Sequence, residues 1–444
     1  MNACDAPLPA PSPPWGEGWG EGRLHPHPNP LPKGERESLV KGWCPGALRP
    51  MLSGDGLVAR LRLSCNEAPL AHVANIADWA ETYGNGLIDL SARGNLQIRG
   101  VREATLPGLT QALAKARLLT DASPEAEAVR NVLVSPLAGF DPAAPFDVRP
   151  CAKALERELG ANRELWALPG KFGFAFDAGA FPLGRAHADV TFSAVAPGAF
   201  VAILGEAALG PFPKDEAVAV ARKLARAFLA LRKTASPPRR MRDALAAVGL
   251  APFASATGLE PIRFDSPPQR NALGVQTLGE IAFVGMALPF GRIAAADLHA
   301  LGALAAQAGA NVLRLTPWRA VLVPGLTLPA AQTLAHAASR LDVILDPADP
   351  RLAVAACPGA PACSSALGPT RDVALRLAPL LPRGVGLHVS GCAKGCAHPA
   401  PARFAVVATA AGYDLIENGR ADAVPLARGL SLEAVETLLK ERAA

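Results

Sequence analysis

The chain has 444 residues, half of them hydrophobic, and a formal net charge of +5. This length predicts two or more domains, and the scattered basic excess is too small to indicate nucleic-acid binding. Eight cysteines are too few for a secreted disulfide scaffold. No apolar run reaches the roughly 18 residues of a membrane span, and no signal peptide is visible. We expect a cytoplasmic protein with free or metal-bound thiols and no membrane partner.

The first 37 residues differ in composition from the rest of the chain. They are rich in proline and glycine and show no hydrophobic period. Such a segment buries too little apolar surface to offset the entropy lost on ordering. We therefore expect residues 1–37 to form a disordered tail.

The globular part begins near residue 38 with strand and helix patterns. Residues 56–63, GLVARLRL, alternate apolar and charged as a half-buried strand does. Residues 70–83 carry apolar side chains at helical spacing. Residues 87–101 are typical of a strand, a turn and a second strand.

The same pattern returns about 225 residues later. A strand is predicted at 281–293, a helix at 294–310, and a strand, turn and strand at 311–326. Overlaid without a gap, Cys65 falls on Phe290 and the apolar phase of the helix is kept. A duplication at this period indicates two homologous halves, and a ligand site is expected between them.

Each repeat is followed by a mixed segment. In the first half, strands are predicted within 129–140, 165–177, 188–195 and 199–205, and helices at 151–162 and 214–233. In the second half, a helix is predicted within 365–381, a strand at 384–391 and a hairpin at 404–416. We expect a linker at 234–270.

Four cysteines lie close together near the C-terminus: Cys357, Cys363, Cys392 and Cys396. Four thiolates are the usual ligand set of a [4Fe–4S] cluster. A zinc site also uses four cysteines, but it favours shorter knuckle spacings than this C-x5-C pair. Two disulfides or four buried structural thiols are the simpler alternatives. The clustering and the expected compartment favour the iron–sulfur interpretation.

Basic and amide side chains recur in otherwise apolar segments. Along SARGNLQIRG the polar positions alternate, so one strand face would carry them all. Guanidinium groups pair bidentately with carboxylates, so such a face could bind a polyanion, although an exposed strand face would look the same. The candidates are Arg93, Asn95, Gln97, Arg99, Arg130, Asn131 and Lys171, with Arg319 from the second repeat.

These motifs, in this order, resemble the sulfite and nitrite reductase superfamily. SARGNLQIRG, VRNVLVSPLAG, LPGKFGF and the C-x5-C and C-x3-C pairs carry the resemblance. GWCPGALRPMLSGDGLVARLR, RLTPWRAVLVPGL and SGCAKGCAHP are most similar to its cobalamin-pathway branch, the precorrin-3B synthases. The resemblance covers nearly everything from residue 40 onwards. Sulfite reductases have a second lysine two residues after the first, where this chain has Gly173 after Lys171.

The resemblance implies an α+β fold with duplicated halves and pseudo-twofold symmetry. Each half would be a ferredoxin-like α/β sandwich repeat followed by a mixed α/β domain of the sirohaem and [4Fe–4S] reductase type. The implied ranges are a tail at 1–37, repeats at 38–122 and 271–345, a tetrapyrrole-binding domain at 123–233, the linker at 234–270 and a cluster domain at 346–444.

The resemblance also implies a monooxygenase. Enzymes of this branch hydroxylate precorrin-3A, an anionic tetrapyrrole, at C20 with lactone formation. They use dioxygen and electrons derived from NADH that a donor reductase passes through the cluster. The eight candidates above and Lys394, between two cluster cysteines, would then meet substrate carboxylates.

A mononuclear non-haem iron is also implied, but the sequence shows no clear ligand triad. The candidate ligands are His388, His398, and His187 with Asp189, but packing or surface histidines are the simpler interpretation. The residue that activates dioxygen is not identified.

Two alternatives stay open. The first is a sulfite or nitrite reductase that binds sirohaem. The second is a tetrapyrrole-binding or electron-transfer module with zinc in place of iron, and without catalysis.

Overall fold

The structure is a computed structural model that describes residues 45–119, 123–184, 187–233 and 237–443. The predicted disordered tail, residues 1–37, lies outside the described residues. Among the described helices, none has both the length and the apolar character needed to cross a membrane.

Two five-stranded sheets have the same strand order. The first runs β1 (Met51–Ser53), β2 (Gly56–Leu61), β5 (Leu96–Val101), β4 (Leu87–Leu90) and β14 (Arg292–Ala294). The second runs β12 (Gly274–Leu278), β13 (Ile281–Ala287), β16 (Ala320–Leu326), β15 (Val312–Leu315) and β3 (Glu67–Pro69). The helices of the two repeats are Leu70–Tyr83, Leu106–Lys115, Ala295–Gln307 and Leu328–Ala338. The same order in both sheets supports the predicted duplication.

The two repeats exchange edge strands. β3 belongs to the first repeat but pairs with β15, and β14 belongs to the second but pairs with β4. Helices Leu70–Tyr83 and Ala295–Gln307 pack against each other over one shared apolar core. The repeats are therefore interlocked, because neither sheet is complete without a strand of the other half.

The mixed segments form two further sheets of matching topology. One contains β6 (Val132–Val134), β7 (Phe174–Asp177), β8 (Val190–Ala196), β9 (Ala199–Leu204), β10 (Ala207–Pro213) and β11 (Pro261–Ile262). The other contains β17 (Val354–Ala356), β18 (Leu387–Ser390), β19 (Ala402–Thr409), β20 (Gly412–Gly419) and β21 (Ala427–Leu430). In each, three strands run parallel and the following ones antiparallel. Their helices are Pro124–Val129, Arg149–Ala161, Ala217–Leu231, Arg371–Leu377 and Leu432–Ala443.

The backbone supports the gapless overlay of the two repeats. Cys65 and Phe290 both adopt left-handed conformations, at φ 55° and 52°. This conformation is uncommon for side chains of their size, so its recurrence at the overlaid position is specific. The prediction of an α+β fold with duplicated halves is confirmed.

The segment 234–270 is more ordered than a simple linker. It contains helices Met241–Val248 and Ala251–Thr257. Met241 and Phe253 are buried in the core of the first mixed domain. Residues 241–257 therefore belong structurally to that domain, because their apolar side chains pack into its core.

Candidate functional site

A polar cleft lies where β6 and β7 begin. Because these strands run parallel and in register, Asn131 and Gly173, the residues before them, lie at the same sheet edge. The turn between β4 and β5 adds Arg93 and Asn95, and His187 completes the polar lining. Three of the nine predicted substrate residues, Arg93, Asn95 and Asn131, thus line one cleft.

The cleft is shallow, and the space it encloses is only about 10 Å³. Sites for small molecules usually measure roughly 300–1,000 Å³. The cleft therefore encloses about one water molecule, and it offers a polar surface to carboxylate arms without enclosing a macrocycle.

The loop of Lys171 is fixed by the cleft residues. Arg93 donates through Nη2 to the Lys171 carbonyl at 3.0 Å, and Asn131 donates through Nδ2 to the carbonyls of Gly170 and Phe172 at 3.0 and 3.2 Å. A loop held at three successive carbonyls has little freedom, so the position of the Lys171 backbone is set by the two cleft side chains.

A buried arginine that no sequence motif marks lies beneath the cleft. Arg62 directly follows β2 and donates to Asn131 Oδ1 and Glu127 Oε1, both at 3.4 Å. Its backbone carbonyl accepts from Arg130 Nη1 at 3.1 Å. The charged positions of GLVARLRL were expected on a solvent face, but a neighbouring domain covers that face. Arg93 is therefore the guanidinium in the cleft lining, and Arg62, Arg130 and the carboxylate of Glu127 lie behind Asn131.

His187 and Asp189 differ in their surroundings. Burial lowers the pKa of His187 to about 4, so its imidazole is neutral at pH 7. Asp189 forms an ion pair with Arg240 at 3.0 Å and accepts from the backbone N–H of Gly173. Asp189 is thus engaged in shaping the cleft rather than directed into it.

Gln97 and Arg99 lie further along β5, outside the cleft lining. The Gln97 amide, oriented with its oxygen toward Arg60, accepts from that guanidinium at 2.9 and 2.6 Å. Arg99 is 3% exposed and pairs with Asp55 at 2.7 Å and with Asp89 at 3.1 Å. The four polar residues of SARGNLQIRG therefore divide into two groups, because only Gln97 and Arg99 lie on the strand itself.

Lys394 and Arg319 also lie outside the cleft lining. Lys394 is exposed and donates to Ser365 Oγ at 3.0 Å, within the cluster domain. Arg319 has a left-handed backbone, and its side chain packs over Gly291. The predicted contacts of these residues with a substrate stay predictions.

The four predicted cluster cysteines lie at one end of the second mixed sheet. Cys357 follows β17 directly, and Gly391 and Cys392 follow β18. Neighbouring parallel strands end at the same sheet edge, and Gly391 N–H donates to Cys357 Sγ at 3.2 Å. Cys363 is held by its N–H, which donates to the Gly359 carbonyl at 2.7 Å.

The thiols are close enough to influence one another. Burial, together with the charges of Cys392, Cys357 and Cys363, raises the pKa of Cys396 to about 11. Burial also raises the pKa of Cys392, with Cys357 and Cys363 contributing. Negative charges gathered in this way need a cationic centre to become stable.

The donor set of this region is four thiols. Within the described ranges, no three His, Cys, Asp or Glu side chains converge tightly enough for one metal ion. Four thiolates are the usual ligand set of a [4Fe–4S] cluster, which binds each thiolate at a separate iron. The residues present are therefore chemically suited to a cluster. The described residues likewise offer no ligand group for a mononuclear iron.

His388 and His398 lie beside the cysteine loops. Their rings are 5.8 Å apart, and both ring nitrogens of His388 are buried without a hydrogen-bond partner. Burial, and then the charge of His398, lowers the pKa of His388 to about 4. This agrees with their interpretation as packing histidines.

Comparison with known proteins agrees with the duplication. Residues 49–116 and 276–339 both match the nitrite/sulfite reductase ferredoxin-like half domain. A precorrin-3B synthase of Sinorhizobium sp. is 35% identical, with 89% of this chain and 86% of that protein covered. A ferredoxin–nitrite reductase of Synechococcus elongatus is 30% identical, with coverages of 82% and 78%.

A solved structure shares the fold. The Mycobacterium tuberculosis NirA protein superposes with a TM-score of 0.67 at 19% identity, covering 86% of this chain and 79% of that one. At this level of identity the likeness concerns the architecture, which is the duplicated α+β fold described above.

Proposed function

Because this chain belongs to the nitrite/sulfite reductase superfamily and to its precorrin-3B synthase family, and is thus an oxidoreductase, we propose that it is a monooxygenase of cobalamin biosynthesis. Its substrate is precorrin-3A, which it hydroxylates at C20 with lactone formation. The reaction consumes dioxygen and electrons derived from NADH, which a donor reductase supplies. The free state of all six described cysteines supports a reducing, cytoplasmic setting.

The observation that carries the proposal is the cationic cleft. Arg93, Asn95 and Asn131 converge there, with Arg62 and Arg130 beneath them. Guanidinium and amide groups bind carboxylates with directional hydrogen bonds. The acidic side arms of a tetrapyrrole fit this lining, and binding through them holds the macrocycle in one orientation.

Gly173 supports hydroxylation of a large substrate over reduction of a small oxyanion. A side-chain atom added there would meet the Asn131 carbonyl at 3.4 Å, and otherwise the site is open. A site built to reduce an oxyanion gains from positive charge at the reacting atom. Here the glycine leaves space in place of a second ammonium group.

The cysteines would hold the redox group. Bound by Cys357, Cys363, Cys392 and Cys396, a [4Fe–4S] cluster supplies single-electron transfer. The protein contributes burial of the thiols and the Gly391 N–H that donates to Cys357 Sγ. The N–H hydrogen bond stabilises a thiolate ligand, and burial keeps water away from the ligands.

Anaerobic purification with iron, acid-labile sulfide and optical analysis tests the proposal. We expect a [4Fe–4S] content of iron and sulfide, no sirohaem bands, and conversion of precorrin-3A under oxygen to a hydroxylated product of the expected mass. Sirohaem bands with sulfite or nitrite turnover would instead establish the reductase alternative. One zinc without sulfide would establish the non-catalytic one.

A further inference from the structure

The first repeat binds the loop that carries Cys363 by hydrogen bonds to one carbonyl oxygen. The carbonyl of Ala362, directly before Cys363, accepts from Ser53 Oγ at 2.6 Å, Gly54 N at 3.1 Å and Arg99 Nη2 at 3.1 Å. All three donors come from the first repeat, whose β4–β5 turn also contributes Arg93 and Asn95 to the cleft. The peptide unit next to a cluster cysteine is therefore fixed from outside its own domain.

The β1–β2 turn touches this loop without intervening space. A Cβ atom at Gly54 would lie 2.3 Å from the Pro361 carbonyl oxygen and 3.0 Å from the Cys363 carbonyl carbon. Such contact is possible only for glycine, so the close approach is built into the turn.

Arg99 belongs to a buried charge network. Asp55 binds it through both carboxylate oxygens, and Asp89 bridges it to Arg292 and Arg371. Arg371 follows Thr370, whose hydroxyl donates to the Cys357 carbonyl at 2.5 Å. The network thus reaches the backbone at two of the four cluster cysteines.

The network has an excess of positive charge. Its three guanidinium groups face two carboxylates, which leaves one positive charge, and Arg99 is only 3% exposed. A buried charge is weakly screened, so it acts on a neighbouring redox centre more strongly than a surface charge. Positive charge stabilises the reduced, more negative state of such a centre.

We propose that Arg99 is a positioning residue that fixes the Cys363 loop and raises the reduction potential of the cluster, instead of binding a substrate carboxylate. The inference rests on the proposed cluster and deepens it. Asn95, directly before β5, lines the cleft, and Arg99, roughly 13 Å further along the extended chain, holds the cysteine loop. This one segment therefore links the position of the cluster loop to that of the cleft.

Redox titration of the anaerobically purified holoprotein, followed by electron paramagnetic resonance, tests this inference. We expect Arg99→Gln to keep iron and sulfide but to become harder to reduce, by about tenfold in the one-electron equilibrium, which is about 59 mV. Arg99→Lys keeps the charge and should recover most of the shift. Arg102→Gln, an exposed arginine just beyond β5, should leave the potential unchanged.

Asp55→Asn provides the opposite test. Removing one carboxylate increases the excess positive charge, so the potential should rise. If the two substitutions only loosened the loop, the reduction potential of the cluster would not change in opposite directions in the two variants. If Arg99→Gln does not retain the cluster, the test rests on Asp55→Asn alone. A reduction potential that is unchanged or lowered in Asp55→Asn overturns the inference. Absence of iron and sulfide from the unaltered protein would instead overturn the proposed cluster.

Discussion

Arg292 of the second repeat donates through Nε to Asp89 of the first at 2.7 Å, across the β14–β4 pair. The β15–β3 pair contains an equivalent contact, since Arg314 lies directly opposite Glu67 at 2.8 Å. In this pair the exchanged strand, β3, carries the acid, whereas in the β14–β4 pair the exchanged strand, β14, carries the base. The first repeat thus supplies both acids and the second both bases. This distribution favours pairing of the two unlike repeats over pairing of two copies of one.

Asp89 is the centre of this charge network. Burial alone would raise its pKa, but Arg371, Arg292 and Arg99 hold the pKa of Asp89 well below its usual range. We expect Asp89→Asn to lower the free energy of unfolding by about 3–5 kcal/mol, because three buried guanidinium groups lose a partner. Urea unfolding measures this. Asp422→Asn, which breaks an exposed pair with Arg420, should cost at most about 1 kcal/mol.

Arg93 should contribute to tetrapyrrole binding without affecting the cluster. Arg93→Ala removes a cleft guanidinium, and a hydrogen bond to a charged group contributes about 1.5–3 kcal/mol, or roughly ten- to a hundredfold in Kd. Anaerobic optical titration with precorrin-3A measures the change, and iron and sulfide content should stay constant. The control is the exposed Arg102→Ala. Equal affinity in both variants would contradict a binding role for the cleft.

Cys392 should be essential for the cluster. Cys392→Ser replaces a thiolate by a hydroxyl, which is a poor ligand for cluster iron, so iron and sulfide should fall to background. The matched variant is Cys151→Ser, a partly buried cysteine in helix Arg149–Ala161. It should retain full iron and sulfide. A cluster of full occupancy in Cys392→Ser would remove this residue from the ligand set.

Gly173 should determine how much room the cleft has. Gly173→Lys introduces no close contact at Cβ, where the nearest atom is 3.4 Å away, so the protein should fold with an unchanged Tm. The added side chain should fill the cleft and weaken precorrin-3A binding at least about tenfold, the effect of about 1.4 kcal/mol. Gly386→Lys, at an open position outside the cleft lining, should bind as the unaltered protein does.

His388 should make stability depend on pH. Burial, with His398, lowers its pKa from 6.5 to about 4, so the unfolded chain takes up this proton first as pH falls. The contribution of neutral His388 to the free energy of unfolding is fully present above pH 6.5 and is lost as the pH falls toward 4. The total loss is on the order of 3 kcal/mol.

Urea unfolding of the unaltered protein and of His388→Leu at pH 7.5, 6.5 and 5.5 checks the sign. The variant should lose less stability than the unaltered protein on acidification. His299→Leu, on an exposed helix position, should show the full loss. If His388→Leu loses as much stability on acidification as the unaltered protein, the pH dependence of stability arises from other groups.

The sequence by itself determined the main elements of the two repeats, the duplication and the grouping of the four cysteines, but not the two helices within 241–257. Helix 70–83 was predicted with the bounds it has, because its periodicity is local. The overlay even places Glu67 on Arg292 and Asp89 on Arg314, a signal of charge exchange that sequence analysis left unused. The four cysteines form two pairs with short spacings in the sequence, Cys357 with Cys363 and Cys392 with Cys396. The parallel strands β17 and β18 bring the two pairs to the same sheet edge.

Only the tertiary structure decided what each charged side chain faces. Alternation along a strand gives the face of Arg99 but not its partner, the Ala362 carbonyl, which is 263 positions away. The same applies to Arg62, which a neighbouring domain buries against Glu127. Charges pair across space, and contacts between distant segments depend on how the domains pack, which no local pattern encodes.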